Sequence, residues 1–284
     1  MQENFKGRVS SNVKFSVLMP VYYKEQPENF ENAIKSILID QNRKPDEFVL
    51  VCDGPLADEL NQIIQSYKIQ FSQIFKVHRL KENKGLGKAL KAGLMKCSYD
   101  IVARADSDDI CAPERFQVQL AFLEYHKDIA VVSSYIDEFY DNWRKPCRYK
   151  EVPLVHEEIV KMAKYRNPIN HMAVMFRKNA VITTGSYRHV LYTEDYDLWI
   201  RMMEKGYRFA NIGQYLVHAR IGNGMVERRG NKEQIRSWVI INRYMLRNKM
   251  INRIEYIRNL ISVTVFVYML SGMKEWMYRL FLRK

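Results

Sequence analysis

An open α/β sheet, mostly parallel and covered by helices on both faces, is the fold this sequence predicts. Three observations lead there. Short, wholly apolar runs alternate with segments of helical apolar spacing through the first half of the chain, the pattern of βαβ units whose strands are buried on both sides. Apolar residues make up 47% and aromatics 12% of 284 residues, enough for a sizeable core. Polar or acidic segments directly follow four of the runs, and sites in such sheets lie beyond the carboxyl ends of the strands.

The elements follow in order. Phe15–Val21 (FSVLMPV) reads as the first buried strand, and apolar residues at 30, 33, 34, 37 and 38 predict a helix behind it. Residues 48–52 (FVLVC) make a second strand, with Ile63, Ile64 and Tyr67 marking the next helix. A third strand at 75–80 precedes a helix at 87–96, and a fourth at 101–105 (IVARA) precedes a helix opened by Pro113. Residues 130–135 supply a fifth strand. The segments Pro20-Val21-Tyr22, Asp53-Gly54, Asn83-Lys84-Gly85 and Asp106-Ser107-Asp108-Asp109 therefore converge on one edge of the sheet.

The opening MQENFKGRVS holds no apolar segment, so no secretory leader is expected. Cys52, Cys97, Cys111 and Cys147 are widely spaced without a C-x-x-C pair, which predicts neither a zinc site nor a disulfide framework and fits a reducing compartment. The net charge is +13, and residues 217–284, with fourteen Lys/Arg against four Asp/Glu, carry +10 of it. A basic tail of this kind attracts either nucleic acid or an acidic membrane surface.

Asp106-Ser107-Asp108-Asp109 carries the strongest chemical signal. Three carboxylates in four residues repel one another unless a cation or a donor network neutralises them. Asp106 and Asp108, on alternate residues, can aim at one point, and hard oxygen ligands suit Mg²⁺ or Mn²⁺. The alternatives are an Asp-rich turn capping the next helix and a structural counter-ion in Arg104. Asn83-Lys84-Gly85-Leu86-Gly87-Lys88 opens a helix with glycines that let backbone N–H groups approach a phosphate. It is neither a P-loop nor a dinucleotide fingerprint, since Ala89 and Leu90 stand where those need Ser/Thr and Gly; a plain turn explains it as well. Thr193-Glu194-Asp195 leads into the apolar stripe Tyr196, Trp199, Ile200 and Met203, which makes Thr193 a helix N-cap. The two acids then either complement the helix dipole or supply a general base held ionised by it. A lone histidine such as His218 in HAR is more often structural than catalytic, and His171 in NPINH is similarly ambiguous.

In order, the segments FSVLMPVYYKE, VLVCDG, ENKGLGKAL, ARADSDDICAPERF, NPINHMAVMFRK, TEDYDLWIRM and HARIGNGMVERRG resemble the family 2 inverting glycosyltransferases of GT-A fold, from about Phe15 to Arg229. The likeness is to the bacterial exopolysaccharide and O-antigen type of the amylovoran-biosynthesis kind. The resemblance implies that residues 1–230 form the catalytic domain, with a nucleotide-sugar half at 13–110 and an acceptor half at 111–230. It implies nucleotide contacts for Pro20, Tyr22, Glu25 and Asp53, and donors near the nucleotide at Lys84 and Lys88. Asp106 and Asp108 match its D-x-D pair, beside Arg104, with Asp108 the direct metal ligand. Asp195 matches the acid that deprotonates the acceptor, and Glu194 its supporting neighbour. His218, a metal ligand, and Arg220 fall in the region that closes over the diphosphate. Cys52-Asp53-Gly54-Pro55 replaces the second Asp and Ser of many members, and the histidine here precedes the arginine.

The activity so implied is metal-dependent transfer of a hexose, glucose or galactose, from a UDP-sugar to a sugar hydroxyl, with Mn²⁺ or Mg²⁺ as cofactor. The acceptor is lipid-linked or an oligosaccharide, in assembly of capsule, exopolysaccharide or O-antigen. In the tail at 231–284, Ile235, Trp238, Val239, Ile241, Met245 and Leu246 interleave with Arg236, Arg243, Arg247 and Lys249, and 259–273 carries no charge. That run is short of the ~20 residues a spanning helix needs. It predicts a basic helix lying on the inner face of the cytoplasmic membrane, with packing on the catalytic domain or a second subunit as the alternative. A sugar nucleotidyltransferase shares the acid pair but needs no late Thr193-Glu194-Asp195. A nucleic-acid binder is suggested by charge alone and opposed by the apolar tail, so no nucleic-acid partner is expected.

Overall fold

The structure, a computed structural model, describes residues 13–222 and 232–269. Four strands, β1 (Phe15–Val21), β2 (Glu47–Cys52), β3 (Phe75–Arg79) and β4 (Ile101–Arg104), form a parallel sheet in the order β3-β2-β1-β4. Alternate side chains leave its two faces. Phe15, Val17, Met19, Phe48 and Leu50 meet α1 (Pro27–Leu38) and α2 (Asp58–Gln70) through Phe30, Ile34, Leu60 and Ile64. Leu18, Val49 and Val51 meet α3 (Leu86–Leu94) on the other face. The helices lie on both sides because the strands are apolar on both.

The second half departs from a simple continuation. It contains β5 (Ile110–Cys111), α4 (Arg115–Tyr125), β6 (Ile129–Phe139), β7 (Arg148–Lys150), α5 (His156–Met162), a 3-10 turn at His171–Ala173, β8 (Met175–Arg177), α6 (Lys178–Thr183), α7 (Glu194–Glu204) and β9 (Arg208–Arg220). The sheet runs on as β4-β8-β6-β9-β5, with β7 on β6. The expected fifth strand, β6, joins through β8, which is antiparallel to both β4 and β6, so the sheet is parallel in its first half and mixed in its second. Three-residue β8 leaves no periodic signal, and 13-residue β9 is broken by polar residues and register shifts.

Two local expectations need correction. Pro113 does not open α4; it stands in a turn closed by the Arg115 N–H on the Ala112 carbonyl (3.0 Å), and the helix starts at Arg115. Thr193 occupies the N-cap position of α7, but its hydroxyl makes no capping bond and points to the Val190 carbonyl at 3.5 Å.

The basic tail is not a free arm over its described part. Helices α8 (Lys232–Arg247) and α9 (Arg253–Tyr268) pack together and onto the body. Ile241, Met245 and Ile251 enter the core beside Trp199 and Met202. The Ser237 hydroxyl donates to the Leu191 carbonyl (2.8 Å), and buried Asn259 donates to the Lys164 carbonyl (2.6 Å) and to Asn242 Oδ1 (2.8 Å). Asn252 and Glu255 close a capping box at the start of α9. Among the described residues no helix is long and apolar enough to cross a membrane. The end of the uncharged run, from 270, lies outside the described residues, as do Arg228 and Arg229.

Candidate active site

The acidic loop leaves β4 at the centre of the sheet. The Ala105 N–H donates to the Leu18 carbonyl (3.0 Å), and the fully buried Arg115 donates through Nη2 to the Arg104 carbonyl (2.6 Å), which fixes the end of the strand. Arg104, itself buried, pairs both guanidinium Nη atoms with the two oxygens of Asp106. The Ser107 hydroxyl donates to Glu25 (2.5 Å), which ties the segment following β1 to the acidic loop. Asp109 Oδ1 accepts from the Arg220 N–H (2.8 Å), while its Oδ2 is buried with no hydrogen-bond partner among the described residues. The Arg220 side chain donates to the carbonyls of Asp108 (3.3 Å) and Tyr140 (2.9 Å) and lies on the Phe139 ring.

One oxygen each of Asp106, Asp108 and Asp109 falls within 4.8 Å of the others. Burial, then the charges of Asp106 and Glu25, push Asp108 up to about 7. Burial, then Asp108 and Asp106, push Asp109 well above the carboxylate range, and burial raises Glu25. A divalent cation fits this donor set: the oxygens are hard, converge on one point, and include an orphaned buried acceptor. His218 lies outside that group. It sits on β9 opposite Ile110, its Nδ1 held by Asp137 of β6 at 2.8–2.9 Å and its ring against Trp143. A carboxylate on one ring nitrogen is the arrangement that orients the other toward a ligand.

A stability prediction follows from Asp108 and from Glu194, which is also raised to about 7. Acids whose folded pKa lies above the unfolded one stabilise the fold at low pH and lose that contribution as pH rises through the folded value. The metal-free protein should therefore lose the Asp108 and Glu194 contributions to thermal stability between about pH 4 and 7. Mn²⁺ should reverse the Asp108 share, because it binds the ionised form. Melting curves across that range, with and without Mn²⁺, check this.

On the nucleotide side, Pro20 is buried in β1 opposite Val51, past the last β1–β4 pair at Leu18 and Arg104, so its missing N–H breaks no bond to β4. Tyr22 follows, half-buried. The Asp53 N–H donates to the Val21 carbonyl (2.8 Å), and both Asp53 oxygens accept backbone N–H groups, from Lys84 (2.7 Å) and Gly85 (2.9 Å). Asp53 thus ties the glycine-bearing loop to the end of β2. Gly54 makes room for it: φ is +91°, and a Cβ there would lie 2.7 Å from the Asn83 nitrogen. Lys84 and Lys88 are exposed at the start of α3, with Lys84 Nζ 3.8 Å from Glu82.

The acid pair opens α7. Glu194 is buried and packs on Gly87, where a Cβ would come within 2.9 Å of its Cγ, so the starts of α3 and α7 meet. Burial, then Asp195, raise Glu194 to about 7. Asp195 Oδ2 accepts from Asn167 Nδ2 (2.7 Å), and the Asn167 carbonyl oxygen accepts the Ile169 N–H (3.1 Å). Burial raises Asp195, opposed by the α7 backbone and by Asn167. Buried Arg201 bonds Asp197 (2.9 Å) and the carbonyls of Thr184 (2.7 Å) and Ser186 (2.8 Å), which locks α7 in place. His171 and Tyr187 share a hydrogen bond of 3.0 Å in the floor of the site, where Tyr187 feels both Asp195 and Asp106. Arg104 acts electrostatically on the acidic loop and on both α7 acids, so these lie in one neighbourhood.

Sequence reasoning missed Asp109 as a third convergent oxygen and missed Ser107, Arg115, Asp137 and Asn167 as holding groups. Asp109 and Arg115 stand inside the segment already singled out, and Asn167 precedes Pro168 in another. Asp137 has no local signal, since its partner is 81 residues away.

Known proteins resemble this chain in sequence and in fold. A family model described as glycosyl transferase family 2 matches residues 16–184. The chain is 41% identical over 232 residues to the amylovoran biosynthesis glycosyltransferase AmsE of Erwinia amylovora, covering 82% of this chain and 85% of that one. It is 35% identical over 272 residues to the UDP-Gal:alpha-D-GlcNAc-diphosphoundecaprenol beta-1,3-galactosyltransferase of Escherichia coli, covering 95% and 97%. The crystal structure of S. aureus TarS 1-349 in complex with UDP-GlcNAc superposes with a TM-score of 0.65 at 18% identity, over 94% of this chain and 76% of that one; it shares the GT-A fold.

Proposed function

The chain belongs to glycosyl transferase family 2, and on that premise we propose that it moves galactose or glucose from a UDP-sugar to a hydroxyl of a lipid-diphosphate-linked sugar, with inversion. Its setting is bacterial polysaccharide biosynthesis. We place the enzyme peripherally on the cytoplasmic face of the membrane. The observation that carries the reading is the meeting, around Arg104, of the three-carboxylate loop and the α7 acid pair. The E. coli relative, matched over 97% of its length, supports a galactosyl donor and a diphosphate-lipid acceptor.

The residues divide the work. Asp108, with Asp106 and Asp109, would hold Mn²⁺ or Mg²⁺, which neutralises charge developing on the departing diphosphate. Arg104 holds Asp106 in place through both guanidinium Nη atoms. Lys84, Lys88 and Arg220 add positive donors around the same group. Asp53 holds the loop bearing those lysines, and Pro20, Tyr22 and Glu25 line the nucleotide side. His218, steadied by Asp137, offers Nε2 toward the diphosphate region. Asp195 accepts the acceptor hydroxyl's proton as that oxygen attacks the anomeric carbon opposite the leaving group, and Glu194 supports it at the start of α7. A single displacement turns an α-linked donor sugar into a β-glycoside.

Asn167 is expected to position the base, because its carbonyl is pinned by Ile169 and its amide therefore faces Asp195. Asn167→Ala should lower kcat by about tenfold to a hundredfold. Loss of a donor to the carboxylate raises its pKa, so the acid limb of the pH–rate profile should move to higher pH. An unchanged limb would remove Asn167 from this role.

The function is tested by release of UDP from a panel of UDP- and GDP-sugars with Mn²⁺, Mg²⁺ or EDTA. EDTA-sensitive release from one UDP-hexose is expected, stimulated by a diphosphate-lipid acceptor. Conversion of a UDP-sugar and added pyrophosphate to UTP and sugar-1-phosphate would identify a nucleotidyltransferase. Absence of both donor binding and turnover would sink the transferase reading.

A further inference from the structure

Helix α9 turns two unlike faces outward and inward. Asn259, Val263 and Val267 are buried against α8 and the body. The opposite face exposes Ile254 (79%), Ile257 (56%), Ile261 (58%), Val265 (54%) and Tyr268 (65%). At 100° per residue these five fall within an arc of about 80° and run along about 21 Å of helix. Arg253 and Arg258 border the arc on either side at its N-terminal end; both are exposed, and the Arg258 guanidinium rests on Asn259 Oδ1 (3.2 Å) and over the Tyr165 ring. Scattered apolar residues on a surface are ordinary, but an unbroken helical stripe is a contact surface.

The charge around the stripe is one-sided. The outward face of α8 carries Arg236, Ile240, Arg243 and Arg247, and Lys249 is exposed in the turn to α9. The two acids of this helical pair are engaged locally, Glu233 with Arg236 and Glu255 in the α9 capping box. Residues 270–284, outside the described part, add Lys274, Arg279, Arg283 and Lys284 against the single acid Glu275, among Trp276, Tyr278, Leu280, Phe281 and Leu282. An apolar stripe with cationic borders matches an anionic bilayer surface, which offers acyl chains beneath phosphate headgroups. A second copy of the chain would bring the same cations against themselves.

We infer that the Ile254–Ile257–Ile261–Val265–Tyr268 face of α9 is the membrane-docking surface of this enzyme, seated at the headgroup boundary of an anionic bilayer with Arg253 on the phosphates. The helix lies in the plane of the interface, and its inner face stays on the protein. The purpose of this docking, reaching a lipid-linked acceptor, rests on the proposed function. Its geometry does not.

The test is co-sedimentation of the full chain with vesicles of phosphatidylcholine, alone or mixed with phosphatidylglycerol, across a salt series. Binding is expected on the anionic vesicles, weakening as salt rises. The double variant Ile257→Asp/Ile261→Asp should bind at least about tenfold more weakly. Both sites are exposed, so its melting temperature and its UDP release in solution should match wild type. Arg253→Gln should lower binding less and flatten the salt dependence. Binding unchanged in the double variant would overturn the assignment, as would equal binding to neutral vesicles. A wild-type dimer that the double variant dissociates would show a copy–copy interface and overturn it too. Failure of UDP release in wild type would instead strike the proposed activity and leave the vesicle result standing.

Discussion

Asp195→Asn is expected to lower kcat by about 10²–10⁴-fold while leaving UDP-sugar and Mn²⁺ binding intact. The substitution keeps the size and planarity of the side chain and removes its capacity to take a proton. An asparagine carbonyl can still accept from Asn167, so the bond that seats the residue at the start of α7 survives. The fold should not suffer, since burial already opposes ionisation of this carboxyl. In wild type that same burial sets the working pH. Activity needs the ionised form and should fall on the acid side at a higher pH than an exposed aspartate would give, a limb absent from the residual rate of the variant. Titration of UDP binding beside steady-state kinetics separates the outcomes. Weakened donor binding with normal turnover at saturation would move the general base elsewhere.

Asp108→Asn is the second large effect, expected to cost on the order of 10²–10³-fold in kcat and to weaken Mn²⁺ binding. Wild-type Mn²⁺ affinity should rise with pH up to about 7, because the carboxyl must release its proton before it can ligate. The variant should bind weakly with a flatter pH dependence. Without metal it should be the more stable protein above pH 7, where wild type carries an ionised Asp108 beside Asp106 and Glu25. Calorimetric Mn²⁺ titration at several pH values, beside metal-free melting curves, reads all of this. Affinity in the variant equal to wild type would place the metal on other residues.

The parallel half of the sheet was legible because its strands are apolar on both faces and its site segments follow strand ends by rule. The mixed half was not. β8 is three residues long, and β9 carries polar residues through register shifts against β6, so neither presents a period. The acidic loop was legible as a concentration of charge, and Arg104 as its local counter-ion. The partners that fix its geometry were not: Asp109 meets Arg220, 111 residues on, and His218 meets Asp137, 81 residues back. Such pairs are made by topology, which one sequence does not state. The tail showed its amphipathic character but not its orientation. Asn259, a polar residue in an uncharged run, proved to be the buried anchor of α9, and the isoleucines around it proved to be the outward face.

The central claim, metal-dependent transfer by one inverting displacement, is tested most directly on the product. The donor selected by UDP release would be supplied as its α-anomer with Mn²⁺ and a GlcNAc-diphosphate-lipid acceptor, and the new anomeric centre read by NMR. A β-linkage, formed with Mn²⁺ and lost with EDTA, is the predicted result. An α-linkage would contradict the role of Asp195 as the base of a single displacement. A product formed equally well in EDTA would contradict metal binding by the Asp106, Asp108 and Asp109 cluster as a requirement for transfer.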